Sequence, residues 1–333
     1  MHETFTHQHH AHCESGVFTS LLCHHGVDIS ESMVFGIGSG LFFSHLPFIK
    51  VYGLPLTAYR IAPGGIIKRA AKRLGIRLKF ETFSDEERGM SALDQALADG
   101  RPIGLQTGVF WLPFFPPAYR FQFNAHNLIV YGKEGDDYLI SDPTLDRPVK
   151  CPSSDLRKAR FSKGFLAPKG KMYYPVEIPR DLDYRKAVSK GIREVCSKML
   201  NRVHSLVGVR AIRAMAKKIP AWPQKQGEKY AAAQLANLIR MQEEIGTGGA
   251  GFRFVYASFL QEAGDMLGMD ELLVLSQRMT KVGDRWNSFA YKAAPVCKGR
   301  KNGRAAYFEL RDILLDCADQ EYGIFSDLRR VKI

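Results

Sequence analysis

The sequence predicts an α+β domain over residues 1–179, followed by an all-helical domain over residues 180–333. Helical and strand patterns are mixed through the first 150 residues, whereas strand patterns almost vanish beyond Pro179. A chain of 333 residues is long enough for two domains with buried cores. Its composition, 45% hydrophobic and 24% charged, is that of an ordinary globular protein and argues against disorder.

The elements of the first domain follow from periodicity and from breaker residues. Gly26 and Gly100 end two helical patterns, as glycine commonly does after a helix. Two apolar runs, 127–131 and 138–142, flank a polar loop at 133–137 and predict a hairpin. The remaining predictions are helices over 13–25, 66–74 and 85–99, and strands over 76–83 and 102–107.

The second domain is predicted from helical periodicity alone. Helices are expected over 184–218, 228–245 and 252–267. In the last of these, apolar residues recur at the three- and four-residue spacing of one helix face, from Phe252 to Leu267. That stripe predicts a helix with one buried side.

Cys13 is predicted to lie in the first turn of a helix. A thiol at that position meets the positive end of the helix dipole and unpaired backbone N–H groups, both of which favour the thiolate. A cysteine beginning a helix also serves often as a small apolar filler. Cys13 alone therefore does not define a site.

His126 and Asp142 make the pattern more informative. The two residues are equidistant from position 134, inside the predicted hairpin loop. Residues equidistant from a hairpin turn are cross-strand neighbours, with Cβ atoms roughly 5 Å apart on one face. The sequence therefore predicts a carboxylate beside the histidine, provided that no bulge shifts the register.

A helix-borne cysteine, then a strand histidine, then an acid is the chain order of papain-like enzymes. In this hypothesis Cys13 attacks a carbonyl, His126 transfers the proton and Asp142 orients the imidazole. The backbone N–H of Cys13 would stabilise the oxyanion, with Gln8 as a candidate second donor. A cysteine peptidase or amidase would use the same three residues.

Several motifs resemble the butirosin-biosynthesis protein H family. The N-terminal part of the resemblance is carried by His12-Cys13-Glu14, Leu21-Leu22, Gly26, Phe35-Gly36-Ile37-Gly38-Ser39-Gly40, His126-Asn-Leu-Ile-Val-Tyr-Gly132 and Asp142-Pro143. The run from Gly246 to Gly251, followed by Phe252, Tyr256, Phe259-Leu260 and Glu262-Ala263, is similar to the helical domain that often follows in that family.

The resemblance implies a papain-like fold and acyl transfer in secondary-metabolite biosynthesis. An acyl group would pass from the phosphopantetheine thioester of an acyl carrier protein, or from coenzyme A, through an acyl-cysteine to an amine of a small metabolite. It makes Cys13 the nucleophile, His126 the base and Asp142 the orienting residue. His12 belongs to the motif of that family but has no defined role. The resemblance implies no cofactor.

A segment rich in rings and prolines precedes His126. It is interpreted either as core plus a stiffened loop or as an acyl pocket or lid next to the base. The candidate substrate-binding residues are Phe110, Trp111, Phe114, Phe115 and Tyr119.

The net charge of +13 is concentrated in one segment, residues 150–218. That segment lacks nucleic-acid-binding signatures, so nucleic acid is not predicted as a partner. A solvated helix face and a docking surface for an acidic carrier protein both remain open. The candidate docking residues are Arg185, Lys186, Arg193 and Arg202.

Other classes of site and location are less favoured. Four histidines lie between positions 7 and 12, but the ligand spacing of a structural zinc site is absent, so no metal site is predicted.

The six cysteines form no CxxC pair, and neither a signal peptide nor a membrane span is evident, which predicts a cytoplasmic protein. A non-enzymatic scaffold with a basic face, and a homodimer formed through the helical domain, remain alternatives.

Overall fold

In the computed structural model of the chain, residues 5–201, 203–301 and 303–333 are described. The helices are α1 Cys13–His24, α2 Glu31–Ile37, α3 Gly65–Leu74, α4 Glu86–Ala98, α5 Ser153–Arg160, α6 Tyr184–Met199, α7 Gly208–Lys218, α8 Trp222–Gln226, α9 Glu228–Glu243, α10 Arg253–Leu267, α11 Asp270–Cys297 and α12 Arg304–Leu328. The strands are β1 Leu41–Val51, β2 Leu54–Arg60, β3 Arg77–Glu81, β4 Ile103–Thr107, β5 His126–Glu134, β6 Asp137–Ser141, β7 Val149–Pro152 and β8 Met172–Glu177. The expected α+β class and the helical C-terminal part are confirmed.

A six-stranded antiparallel sheet forms the centre of the N-terminal architecture. Its strand order is β3-β8-β4-β5-β6-β7, and β1 with β2 forms a separate two-stranded hairpin. Strands β4 and β5 are buried along most of their length, as expected for central strands. Their apolar residues, including Leu105 and Leu128, join Leu93 of α4 and Leu156 of α5 in one core.

The compact units of the fold are assembled differently from the predicted domains. The chain divides into two compact units, one formed by Met1–Val34 with Leu74–Leu182 and the other by Phe35–Arg73 with Asp183–Ile333. The division after Leu182 lies near the expected boundary after residue 179. Residues 35–73, however, belong to the second unit and not to the first.

Aromatic packing explains this assignment of residues 35–73. The rings of Phe43 and Tyr59, from the β1–β2 hairpin, lie 5.9 and 5.7 Å from the ring of Trp286 in α11. Gly36 approaches Phe259 of α10 so closely that an added Cβ would lie 2.0 Å from that ring. The hairpin therefore completes the core of the helical unit.

The predicted helix over 184–218 is interrupted. It forms α6 and α7, separated by a turn in which Asn201 Oδ1 accepts hydrogen bonds from the backbone N–H groups of Val203 and His204. Gly208 begins α7 with a φ of +65°, and an added Cβ would lie 2.3 Å from the carbonyl oxygen of Met199. Only glycine fits this close approach of two backbones.

None of the helices among the described residues has the length and apolar character needed to cross a membrane. All six cysteines are free thiols.

Candidate active site

Cys13 is the first residue of α1, and its side chain is buried. The preceding residue, His12, is the helix N-cap, and its Nδ1 lies 2.9 Å from the hydroxyl of Ser15. The backbone N–H groups of a first helical turn have no partner within the helix. The sulfur therefore lies at the electropositive end of α1.

His126 and Asp142 are joined by a short hydrogen bond inside the first unit. The Nε2 atom of His126 lies 2.6 Å from Oδ2 of Asp142, and the carboxylate is fully buried. The other carboxylate oxygen accepts hydrogen bonds from the backbone N–H of Thr144 at 3.0 Å and from its hydroxyl at 2.7 Å. Asp142 is thereby fixed in position and in turn fixes the imidazole plane.

The predicted register of this hairpin is wrong, although its two side chains do meet. Strands β5 and β6 are joined by a two-residue turn, Gly135 and Asp136, with Glu134 opposite Asp137. That turn alone would place Asp142 opposite Ile129, on the face of β5 that points away from His126.

A β-bulge restores the shared face. The register shifts by one between Val130 and Gly132, so that Ile129 pairs with Ser141. Continuing that register places Asp142 opposite Leu128, which lies two residues from His126 and on the same face. His126 and Asp142 are therefore diagonal neighbours, not directly opposed residues as predicted.

Cys13 completes the cluster. Nε2 of His126 is engaged by Asp142, and Cys13 lies close enough to the ring to raise its pKa. Burial by itself lowers the pKa of His126. The negative charge of Asp142, their hydrogen bond and the contact with Cys13 outweigh burial and raise the pKa to about 10. The imidazole is therefore protonated at neutral pH.

Sequence reasoning missed a half-buried carboxylate that holds the residues before Cys13. Glu31 accepts hydrogen bonds of 2.8 Å from the backbone N–H groups of both Ala11 and His12, and one of 2.9 Å from the hydroxyl of Ser15. Glu31 lies 18 residues beyond Cys13, and no local spacing rule relates the two positions. Only the folded chain reveals this contact.

The histidine-rich segment, residues 7–12, is here named the N-terminal strap. Its His7 ring lies 2.7 Å from the Ser141 hydroxyl and 3.0 Å from the Leu145 carbonyl oxygen, and His10 N–H donates to the carbonyl oxygen of Pro143 at 2.7 Å. The strap thus ties the start of α1 to the loop that carries Asp142.

The strap histidines have a structural role. Burial and the neighbouring histidines lower the pKa of His10 to about 4, so this ring is neutral at neutral pH. Among the described residues, no group of three or more potential metal ligands comes together.

The two further motif candidates differ in their surroundings. His12 is buried at the helix cap, where it contacts Ser15. Gln8 is partly exposed within the strap and makes no hydrogen bond to the described residues. Its proposed function as an oxyanion donor stays a prediction.

Tyr173 is a second residue that sequence reasoning did not select. Its hydroxyl donates to Oδ1 of Asn127 at 2.9 Å. Burial, followed by the nearby negative groups Glu14 and Cys13, raises the pKa of Tyr173 well above its usual value. Tyr173 therefore stays protonated and lies close to the sulfur.

The aromatic segment before His126 divides into two parts. Phe115 packs edge-on against the His126 ring, with centroids 5.5 Å apart, and Phe114 with Phe115 packs on the core of the sheet. Phe110 and Trp111 line a cavity of about 360 Å³ together with Pro113, Pro117, Arg120, Asp155 and Lys158. Tyr119 is exposed and is not part of that lining.

The candidate docking residues lie mainly on α6. Arg185, Lys186 and Arg193 are exposed there, while Arg202 lies outside the described residues. Arg193 lines a second cavity, and Arg185 donates to the carbonyl oxygen of Leu267 at 3.3 Å.

The basic segment does not form one uniform charged face. Its residues are shared between the two units, which divide after Leu182. Arg160 is fully buried, where it donates to the carbonyl oxygens of Gly89 and Gly170 at 2.8 and 3.0 Å. Lys150 and Arg157 form ion pairs with Glu134 and Glu87. Part of the predicted docking charge is therefore used within the fold.

An antiparallel sheet that carries a histidine and an acid beside a cysteine at a helix start is the arrangement of papain-like cysteine enzymes. The fold and the candidate site share these features with that class. The model of the family "Domain of unknown function (DUF4872)" matches residues 154–328, more than half of the chain, and that of "Butirosin biosynthesis protein H, N-terminal" matches residues 12–143. The chain belongs to the DUF4872 family, and its two matches give it the architecture of butirosin-biosynthesis protein H-like proteins.

One solved structure and one search of curated proteins complete the comparisons. A crystal structure provisionally described as a C39-like peptidase from Bacillus anthracis is 14% identical, with a TM-score of 0.36, over 53% of this chain and 96% of that chain. A likeness at this level says nothing about activity. No curated protein matches the chain.

Proposed function

We propose that the protein is a cysteine-dependent acyltransferase of secondary-metabolite biosynthesis. The observation that carries the proposal is the contact of Cys13 with a His126 ring that Asp142 holds in its protonated form. A positively charged imidazolium beside a sulfur favours the nucleophilic thiolate. The match to the N-terminal part of butirosin biosynthesis protein H supports the assignment to biosynthesis.

The first half-reaction forms an acyl-cysteine. The sulfur of Cys13 attacks the thioester carbonyl of an acyl carrier protein or coenzyme A donor, and the donor C–S bond breaks. His126 gives its proton to the departing thiol. The backbone N–H of Cys13, at the start of α1, stabilises the oxyanion of the tetrahedral intermediate.

The second half-reaction releases the acyl group to a small amine. The amine nitrogen attacks the acyl-cysteine carbonyl, the C–S bond to Cys13 breaks, and His126 takes the proton that the nitrogen loses. The nonpolar ring of Phe115 packs against His126. Such a ring limits access of water and favours transfer over hydrolysis.

Intact-mass measurement tests the proposal. Incubation with acyl-carrier or acyl-coenzyme A thioesters is expected to add one acyl mass, and Cys13→Ala is expected to abolish the adduct. Cys23, a half-buried thiol at the other end of the same helix, offers the matched control. Cys23→Ala should leave the adduct intact. Absence of an adduct with every thioester would contradict the proposal.

The alternative chemistry with the same three residues is hydrolysis by a peptidase or amidase. Adding small amines to the isolated acyl-enzyme separates the two. Transfer predicts an acyl-amine product and faster loss of the adduct as the amine concentration rises. Loss at a rate independent of amine, with free acid as product, would identify a hydrolase.

A further inference from the structure

A cleft in the second unit lies at the end of α6. Its lining comes from three parts of the chain. Helix α6 contributes Arg193 and Ser197, and Arg329 directly follows α12. The turn after α6 contributes Leu200, Asn201 and Val203. We name it the Arg193–Arg329 cleft. Its volume is about 410 Å³, within the range of small-molecule sites of about 300–1,000 Å³.

The two arginines of the cleft carry unbalanced charge. Both side chains are exposed, and neither forms an ion pair with any residue in the described part of the chain. The neighbouring carboxylates have other partners. Glu194 binds Arg69, Arg73 and Lys198.

Asp327, an acid close to the end of α12, is also engaged. It forms ion pairs with Arg278 and Arg330. None of the described residues that line the cleft carries a carboxylate. The charged side chains of this lining are therefore both positive.

Arg329 is turned back towards α6. Burial raises the pKa of the Cys196 thiol on α6 to about 12, and the positive charge of Arg329 acts against this increase. The guanidinium thus lies near the helix that carries Arg193, although the two residues are 136 positions apart. Two elements distant in sequence bring their cations to one concave surface.

The donors of the cleft match one ligand chemistry. Two guanidinium groups, the Ser197 hydroxyl and the Asn201 side-chain amide can donate to the oxygens of a tetrahedral anion. Guanidinium groups bind phosphate through paired, charge-assisted hydrogen bonds. Leu200 and Val203 add apolar surface beside these donors.

We propose that the Arg193–Arg329 cleft binds the phosphate group of a small phosphate ester. The proposal goes beyond acyl transfer and does not depend on it, because every residue of the cleft lies outside the unit that holds Cys13. A phosphopantetheine arm and a free phosphorylated metabolite share this chemistry. The test distinguishes them.

Calorimetric titration of the full chain tests the proposal with three probes: 4′-phosphopantetheine, pantetheine without phosphate, and inorganic phosphate. The variants are Arg193→Gln, Arg329→Gln and the double substitution. Lys190→Gln with Lys217→Gln is the matched control, since it removes two exposed charges from the same unit outside the cleft. Thermal unfolding of each variant shows that it is folded.

The expected result is phosphate-dependent binding that the double substitution removes. Each arginine substitution should raise the Kd of 4′-phosphopantetheine about tenfold, and added salt should weaken binding to the original protein. The charge-matched control should change the Kd less than threefold. Much weaker binding of inorganic phosphate than of 4′-phosphopantetheine would identify the arm as the ligand, whereas equal binding would identify phosphate alone as the recognised group.

Two results would overturn the proposal. One is equal binding of pantetheine and 4′-phosphopantetheine. The other is a double variant that binds both phosphate probes as the original protein does. In either case the two arginines would be solvent-exposed charges without a phosphate ligand.

Discussion

His126 has Asp142 on one side of its ring and lies close to Cys13. Nε2 is bound to Asp142 at 2.6 Å, and the second side-chain contact of the ring is Cys13. Asp142 has no exposed surface, so its charge acts on the imidazole with little screening by water. These two contacts explain why the pKa of His126 rises although burial lowers it.

The first prediction concerns the reactivity of Cys13 at low pH. The positive charge of a protonated His126 should speed the reaction of Cys13 with an alkylating agent at pH 6. His126→Ala should slow alkylation of Cys13 by iodoacetamide at pH 6 by about 10²-fold. Mass spectrometry of the Cys13 peptide over pH 5–9 measures the rate of alkylation.

Cys23 serves as the internal reference in the same digests. Its alkylation rate should be the same in both proteins. Equal Cys13 profiles with and without His126 would show that the imidazole does not activate the sulfur.

The second prediction concerns stability and pH. The folded-state pKa of His126, about 10, lies above the value of 6.5 that applies to the unfolded chain. The stabilisation is therefore complete below pH 6.5 and is lost as the pH rises towards 10. Between pH 6.5 and pH 10, the free energy of unfolding in urea should fall more for the original protein than for His126→Gln. A loss of equal size in both would contradict the raised pKa.

At the scale of elements, the β5–β6 hairpin decides whether the acid meets the base. The sequence predicted both strands and their shared face, but with a five-residue loop and no bulge. The tight turn and the bulge each change the register, and their combined shift is even. Since side chains alternate with a period of two, an even shift preserves the face. The correct contact was thus predicted from an incorrect register.

Deleting Tyr131 tests the bulge. Its removal makes the pairing regular but leaves Val130 opposite Ile140 and Ile129 opposite Ser141, so Asp142 stays on the face of His126 and acyl-adduct formation should fall less than tenfold. Tyr131→Ala keeps the extra residue and loses the stacking on Phe5, so it is the matched control. Its adduct formation should change less than threefold. A fall of about 10²-fold or more after the deletion alone would show that the bulge itself, and not the pairing register, sets this contact.

Glu31 and the N-terminal strap position the nucleophile from outside α1. Glu31→Ala would leave the backbone N–H groups of Ala11 and His12 without their acceptor, at a cost of roughly 2 kcal/mol in unfolding free energy. Alkylation of Cys13 should also slow. Glu31→Gln retains one acceptor oxygen, so its losses in unfolding free energy and in the alkylation rate of Cys13 should both be smaller.

Glu86, an exposed acid at the start of α4, provides the control. Glu86→Ala should alter neither Cys13 alkylation nor, beyond a few tenths of a kcal/mol, the unfolding free energy. If Glu31→Ala changed stability without changing alkylation, its role would be structural only.

At the scale of the whole molecule, each unit is assembled from two separate stretches of chain. Residues 35–73 are inserted between the segments of the first unit and supply aromatic and ionic partners to the second. Within the second unit, Phe35 stacks on Phe252 with centroids 5.0 Å apart, and Arg73 pairs with Glu194. The helical part is therefore incomplete without residues 35–73.

Expression of residues 183–333 alone tests this dependence. The fragment lacks the rings of Phe43 and Tyr59 that pack on Trp286 and the Gly36 backbone that packs on Phe259. We therefore expect rapid proteolysis and loss of a cooperative thermal transition. Linking residues 35–73 to the same fragment should restore both protease resistance and the transition. A cooperative transition in 183–333 alone would show that the predicted boundary at 179/180 defines an independent domain.

The sequence by itself determined the fold class, most helices of both halves and the three residues of the candidate site. Those features follow from local periodicity and from spacing within one hairpin, which are short-range properties. Tertiary structure alone decided the bulge at Tyr131, the contacts of Glu31, the transfer of residues 35–73 to the helical unit and the meeting of Arg193 with Arg329. Each of these depends on packing between segments far apart in the chain or on a one-residue shift of register, which local periodicity does not encode.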